Sequence, residues 1–192
     1  MRAYPPASLT SGAFRPAADE SGSIGNANWN AMINNDVLRS IRYMLDLGDS
    51  MVVGIIKLSD PGSSIEQVDV QAFLKKDVED GHVECSDVVL AHFLDGLVLH
   101  YRGLNKNLLN ESLPRRPVET RITNNVVLKK LRVAFELKDV DMHQAFADAG
   151  FPVSRPELSA LFRQPGHSNF RACGDQMLRN FLKGLTLRFR GG

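Results

Sequence analysis

One stretch of this sequence occurs twice, and the two copies set the plan of the chain. FLDGLVLHYRG at residues 93–103 returns as FLKGLTLRFRG at residues 181–191, 88 residues later. An Asn-Asn pair at residues 34–35 likewise returns at residues 124–125, 90 residues later. Self-similarity at a long, nearly fixed spacing indicates duplication of one structural unit. We therefore expect two copies of the same small fold.

The two repeats span residues 32–103 and 121–192, and each is 72 residues long. A unit of this size rarely gains more than ~3–5 kcal/mol from its own core. The repeats are therefore expected to pack on each other and to share apolar surface, which the chain supplies with its 43% apolar residues. Duplication predicts a pseudo-two-fold relation between them.

Each repeat has the apolar periodicity of four helices. In the first predicted helix, Val37, Leu38, Ile41, Met44 and Leu45 follow the i, i+1, i+4, i+7, i+8 spacing of one helix face. Corresponding apolar positions recur in the second repeat. The predicted fold class is all-α, with two tandem four-helix repeats packed with pseudo-two-fold symmetry.

Residues that favour helix starts mark the predicted boundaries. Asparagine pairs precede the first helix of each repeat, serines with Glu or Gln three residues later precede the third, and aspartates precede the fourth. These predicted caps are Asn34 or Asn35, Asn124 or Asn125, Ser64, Ser154, Asp87 and Asp175.

Gly96 and Gly184 lie at equivalent positions inside the predicted fourth helices. Glycine in a helix interior costs ~1 kcal/mol relative to alanine. Its presence in both copies predicts that a neighbouring helix approaches closely there, since a side chain would separate the two backbones.

The segments outside the repeats have a different composition. Residues 1–31 are rich in Ala, Ser, Pro and Gly without periodicity, so they are predicted to be a disordered extension, and residues 104–120 are predicted to be a linker. No apolar run approaches the ~20 residues of a membrane span, and no leader pattern is recognisable. Two cysteines 88 residues apart favour a reducing compartment. We predict a cytoplasmic protein without membrane contact.

The repeated motifs resemble those of the YehS-like bacterial family, small proteins with two copies of a domain of unknown function. The resemblance rests on the two Asn-Asn starts, on NFRACGDQ at residues 169–176, and on the two Phe-Leu-x-Gly-Leu helices. It covers residues 32–190 and implies a cytoplasmic bacterial protein. It supplies no activity or catalytic residues to carry over.

Residue types that carry catalysis or bind metals form no recognisable pattern. The five histidines and two cysteines include no H-E-x-x-H or C-x-x-C spacing. Cys173, His167 and Asp175 have the residue types of a thiol nucleophile site. We favour the alternative that Cys85 and Cys173 are small buried residues ahead of a helix. We therefore predict that the protein is not an enzyme and has neither a cofactor nor a metal site.

The strongest functional signal is the partition of charge between the repeats. Residues 32–103 hold six Lys and Arg against 12 Asp and Glu, a net charge of −6. Residues 121–192 hold 12 against six, a net charge of +6. Either the two halves attract each other, within or between chains, or the basic half meets an anionic partner.

The basic repeat also contains a helix-turn-helix-like unit, formed by residues 141–149, a turn at 150–153 and residues 154–163. Because the matching unit of the first repeat is acidic, we predict a protein-interaction module first, with a protein partner or self-association. Nucleic-acid binding is the alternative. The candidate binding residues in either case are Arg155, Arg163, Arg179, Lys183 and Arg190.

Overall fold

The computed structural model describes residues 32–103 and 121–191. These residues form eight α-helices and no strand. The predicted disordered extension at 1–31 and the predicted linker at 104–120 lie outside the described residues. In chain order, the helices are α1 (Asn34–Met44), α2 (Asp49–Ser59), α3 (Gln67–Leu74), α4 (Asp87–Arg102), α5 (Asn124–Ala134), α6 (Asp139–Asp148), α7 (Arg155–Leu161) and α8 (Asp175–Arg190).

The second and fourth helices pack on each other in both repeats, and the repeats pack on each other reciprocally. Helix α4 packs on α2 in the first repeat, as α8 packs on α6 in the second. Across the chain, α1 packs on α8 and α4 packs on α5. The first helix of each repeat thus meets the last helix of the other, as a pseudo-two-fold axis requires. The predicted all-α fold of two tandem repeats is confirmed.

One hydrophobic core continues through both repeats. Phe93 and Phe181, from equivalent positions of the duplicated motif, are fully buried. The Phe181 ring lies 5.2 Å from that of Phe146, within the range of favourable aromatic pairs. The duplicated motif therefore supplies the centre of the core in each half.

The two helix glycines lie where the helices cross most closely. A Cβ atom on Gly96 would lie 1.9 Å from the carbonyl oxygen of Ile55 in α2. A Cβ atom on Gly184 would lie 1.7 Å from the carbonyl oxygen of Ala145 in α6. Neither separation is physically possible, so the close approach predicted from the sequence is confirmed.

The prediction that the asparagine pairs cap the first helices is wrong. Ile33 is the N-cap residue of α1, and Thr123 is that of α5. The asparagines lie one and two residues further on, inside the first turn, with their side chains directed to the segment before the fourth helix. Asn35 makes three hydrogen bonds, one to the end of α3 and two to that segment. Its Nδ2 donates to the carbonyls of Phe73 (2.9 Å) and Val83 (2.8 Å), and its Oδ1 accepts the N–H of Cys85 (2.9 Å).

The predicted aspartate caps are also wrong. Asp87 and Asp175 are the first residues of α4 and α8, and each accepts a hydrogen bond from an asparagine, at 2.7 Å from Asn34 and 2.9 Å from Asn124. The cap of α4 is Ser86, whose hydroxyl accepts the N–H of Val89.

Of the two capping boxes predicted for the third helices, one is wrong and one is confirmed. The box predicted for Ser64 is wrong, because α3 follows Glu66, whose N–H is accepted by Asp69. The box of Ser154 and Glu157 is confirmed by reciprocal bonds of 2.9 and 3.4 Å. The bonds from Ser154, followed by one from the Arg171 guanidinium, lower the pKa of the Glu157 carboxyl to about 2, because they stabilise its charged form.

Candidate binding groove between the repeats

At the end of the last helix of each repeat, an arginine pairs with a carboxylate in the turn that follows the first helix of the other repeat. Arg102 at the end of α4 pairs with Glu136 at 3.1 Å, and Arg190 at the end of α8 pairs with Asp46 at 3.1 Å. Asp46 and Glu136 have φ angles of 53° and 52°, in the left-handed region that non-glycine residues rarely adopt. The two contact surfaces between repeats, the α4/α5 seam and the α1/α8 seam, thus end in the same way.

The two seams differ in the middle. Lys130 of α5 forms an ion pair with Asp95 of α4 and closes the α4/α5 seam. The equivalent residues in the α1/α8 seam are Ser40 and Lys183, which cannot form an ion pair. One seam is therefore bridged by a charge pair at a position where the other carries an extra cation.

A groove of about 470 Å³ runs along the α1/α8 seam. It is built by both repeats, with α1 and Met32 on one side and α8 on the other. We name it the α1/α8 groove. Its charged and most exposed apolar lining residues are Asp36, Arg39, Tyr43, Arg179, Lys183 and Leu187.

Positive charge predominates in the α1/α8 groove. The only carboxylate among its lining residues, Asp36, forms an ion pair with Arg39 and lies 3.5 Å from the guanidinium of Arg179. Lys183 is exposed and makes no ion pair with any residue that the structure describes. Three cations against one carboxylate leave a net charge of +2, so the groove favours an anionic occupant.

Apolar surface lies beside these cations. The side chains of Tyr43 and Leu187 are 62% and 48% exposed, and the guanidinium of Arg190 lies 4.2 Å from the centre of the Tyr43 ring. Protein interfaces are enriched in aromatic residues and arginine. The groove therefore offers both charge and apolar contact area to a partner.

The structure divides the five predicted binding residues between two places. Arg179 and Lys183 line the α1/α8 groove, and Arg190 lies at its end against Tyr43. Arg155, the first residue of α7, and Arg163 are exposed elsewhere. Helix α7 ends at Leu161, short of the predicted residue 163, and the Arg163 guanidinium contacts His167 at 3.2 Å.

Sequence reasoning missed the contribution of the acidic repeat to this groove. Arg39 and Tyr43 belong to α1, and nothing in their local pattern indicates a site. The available signal was the departure from the repeat: position 183 is lysine where the equivalent position 95 is aspartate.

A second groove, of about 620 Å³, lies between α6 and α8 and has a different character. Its lining includes Asp141, Asp148 and Arg188. Asp141 accepts a hydrogen bond from Arg188 at 2.9 Å. The backbone N–H of Lys138, followed by this guanidinium, lowers the pKa of the Asp141 carboxyl. Its charges are largely paired within the protein, so the groove offers less to a ligand.

Both cysteine side chains are buried and free. Burial, followed by the nearby charges of Asp87 and Asp175 respectively, raises the pKa of the Cys85 and Cys173 thiols to about 12. A nucleophilic cysteine requires a thiolate near neutral pH. These thiols therefore do not have the environment of a nucleophile.

We expect Cys85 and Cys173 to react with an aromatic disulfide reagent at pH 8 only after denaturation. Their raised pKa leaves very little thiolate at pH 8, and burial blocks access. Since the folded pKa is raised, the stabilisation linked to protonation is complete below pH 9 and is lost as the pH rises toward 12. Labelling of the native protein as fast as of the denatured chain would contradict this.

No group of three or more His, Cys, Asp and Glu in residues 32–103 and 121–191 is arranged to hold a metal ion. Across the same ranges, no helix has the length and apolar content needed to cross a bilayer.

These features define a class: an all-helical tandem-repeat protein with one bridged seam and one cationic groove between its repeats. Residues 34–103 and 124–191 each match the family described as "Protein of unknown function (DUF1456)", and the chain belongs to that family. The uncharacterised protein YehS of Escherichia coli (strain K12) is 45% identical over 157 residues, which cover 82% of this chain and 96% of YehS. The resemblance to the YehS-like family is thereby confirmed. No solved structure matches the chain.

Proposed function

We propose that this protein is a protein-interaction module that receives an acidic segment of its partner in the α1/α8 groove. The observation that carries this proposal is the replacement of a charge pair by a lysine that forms no ion pair within residues 32–103 and 121–191. At Asp95 and Lys130 the chain closes a seam with its own ion pair, whereas Lys183 faces the groove without a carboxylate partner among the residues that the structure describes.

The character of the groove supports a protein partner over a free small anion. Exposed Tyr43 and Leu187 offer apolar contact next to Arg179 and Lys183. A partner segment with an apolar side chain between carboxylates could satisfy both kinds of surface. Arg190 donates to the Tyr43 carbonyl at 2.6 Å and its guanidinium lies over the Tyr43 ring, so this end of the groove is ordered before the partner binds, which lowers the entropic cost of association.

We further propose that the module is not an enzyme and acts in the cytoplasm. Support for the first comes from the two thiols, because a buried, protonated thiol is a poor nucleophile and Cys173 is the candidate nucleophile of the sequence. Support for the second comes from the same cysteines, which are free in both repeats, as is usual in a reducing compartment.

Nucleic-acid binding is the alternative, favoured by the exposed Arg155 and Arg163 near the two ends of α7. Phosphate contacts by such residues would give an affinity that falls steeply with salt. Two of the other candidate residues are committed within the protein, Arg179 near Asp36 and Arg190 to Asp46. A phosphate backbone would have to compete with those carboxylates. An acidic protein segment would meet the same competition, but it can also use the exposed apolar surface of Tyr43 and Leu187, which a phosphate backbone cannot, so we place this function second.

Affinity capture from a bacterial cell extract tests the proposal. We expect the wild-type chain to retain a protein partner in the presence of nuclease, and Lys183→Glu to retain at least about tenfold less, because reversed charge repels an acidic segment. Lys129→Glu is the matched control. This exposed lysine of α5 lies in the same repeat but outside the lining of the groove, so capture should be unchanged.

Two results would contradict the proposal. Equal capture by the Lys183→Glu and Lys129→Glu variants would exclude the groove as the binding site. Capture abolished by nuclease, and lost in Arg155→Ala and Arg163→Ala instead, would establish the nucleic-acid alternative.

A further inference from the structure

The connection between α3 and α4 presents an ordered acidic tip. The N–H of Glu79 donates to the Lys76 carbonyl at 2.8 Å, and the N–H of His82 donates to the Glu79 carbonyl at 3.1 Å, forming two successive turns. Val78 lies at this tip and is 93% exposed. We define the acidic tip as residues 77–80, in which Val78 is flanked by Asp77, Glu79 and Asp80.

The acidic tip is held in place before any partner binds. Asn35 donates to the carbonyls of Phe73 and Val83, which lie on either side of it. The Lys75 ammonium donates to the Asp80 carbonyl at 2.7 Å. Because the backbone is already ordered, docking of the tip would cost little conformational entropy. The second repeat has no such tip, since its equivalent turn reads Gln-Pro-Gly-His at residues 164–167.

The acidic tip complements the α1/α8 groove in charge and in apolar character. The tip carries three carboxylates around one exposed valine, a net charge of −3, which the adjoining Lys75 and Lys76 reduce to −1 over residues 75–80. The groove carries a net charge of +2 around the exposed Tyr43 and Leu187. Opposite potentials with apolar contact between them are the usual composition of a specific protein interface.

Within one chain, the acidic tip does not use this complementarity. Among the residues that the structure describes, the tip forms one ion pair, the 3.6 Å contact of Asp77 with His82. The structure shows no ion pair from residues 77–80 to the cations of the groove. The tip nevertheless begins next to the groove, because Arg39, which lines the groove, donates to the carbonyls of Leu74 and Lys75. Tip and groove therefore lie side by side on the molecule.

We propose that the occupant of the α1/α8 groove is the acidic tip of a second copy of this chain. Tip and groove lie side by side on each copy, so a two-fold axis passing next to them would place the tip of each copy in the groove of the other copy. The result is a closed dimer with two identical contacts. This inference rests on the proposed function, because it identifies the acidic partner of the same groove. The dimer buries Val78 of each copy against Tyr43 and Leu187 of the other.

Light-scattering mass determination of the nuclease-treated full chain tests this. At low salt we expect a mass approaching twice 21.3 kDa, falling toward 21.3 kDa as salt screens the contacts. Lys183→Glu alone and Glu79→Lys alone should each raise the dimer dissociation constant at least about tenfold. Mixing the two variants should restore a dimer, since the exchanged charges again attract, and Lys129→Glu should dimerise as the wild type does.

A chain that stays monomeric at low salt and high concentration would overturn the dimer. So would a dimer that is unaffected by both charge reversals, or a mixture of variants that fails to associate. These outcomes are separable from failure of the proposed function: a monomeric chain that still captures a foreign protein through Lys183 overturns the dimer alone. A monomer with capture indifferent to Lys183 overturns both.

Discussion

Leucine at Gly96 or Gly184 is expected to lower the free energy of unfolding by ~1–3 kcal/mol, although leucine is the better helix former. The reason is steric, because the first side-chain atom would lie 1.9 Å or 1.7 Å from a backbone carbonyl oxygen of the facing helix. A carbonyl in a helix cannot rotate aside as a side chain can. The helices α2 and α4, or α6 and α8, would have to separate.

A substitution of opposite expected sign provides the control. Gly54 lies in the interior of α2, and a Cβ atom there would meet nothing within 4 Å. Gly54→Ala should therefore raise the free energy of unfolding by ~0.5–1 kcal/mol, whereas Gly96→Ala should lower it. Urea denaturation measures both, with the slope compared to verify that the unfolding transition is unchanged. A Gly96→Ala variant as stable as Gly54→Ala would mean that α4 is not held against α2 at this point.

The glycine contacts could be predicted from the sequence because the chain repeats itself. A single glycine in a helix has many explanations, but glycine at the same place in two copies of one motif has few. The arrangement of two packed repeats could be predicted from the sequence for the same reason. Once Phe93 and Phe181 are recognised as equivalent, each repeat constrains the interpretation of the other, and a 72-residue unit requires a partner for its apolar face.

The asparagine pairs show where local pattern fails. Asparagine is a favoured N-cap residue, so its position before an apolar stripe predicted a cap. In the structure, the amide of Asn35 instead bonds to Phe73, 38 residues away, and to Val83, 48 residues away. A helix-cap rule considers only the next three residues. Partners at such separation depend on the tertiary fold, which the local sequence does not specify.

The candidate site was predictable only in part, for a related reason. Arg179 and Lys183 could be selected because they follow one face of α8 and belong to the basic repeat. Their surroundings could not, since the opposite wall of the groove comes from α1, in the acidic repeat. The net charge of a whole repeat also misleads locally: Arg39 of the acidic repeat adds to the positive charge of the groove.

Replacement of Asn35 by alanine is expected to lower the free energy of unfolding by ~3 kcal/mol or more. The fully buried side chain satisfies three backbone groups: the carbonyls of Phe73 and Val83 and the N–H of Cys85. Each buried group left without a partner costs ~1–3 kcal/mol. The truncation also frees the segment that carries the acidic tip, so hydrogen exchange at the Cys85 amide should accelerate.

Asn125→Ala is the matched comparison, because Asn125 makes the same three bonds in the second repeat, with Leu161, Arg171 and Cys173. Its side chain is only partly buried, so water can replace part of what is lost, and the expected cost is smaller. Thermal and urea denaturation of both variants compare the two sites directly. Equal losses would show that burial does not set the cost of breaking this clamp. A loss below ~1 kcal/mol at Asn35 would mean that water enters the α3–α4 connection and satisfies the three groups.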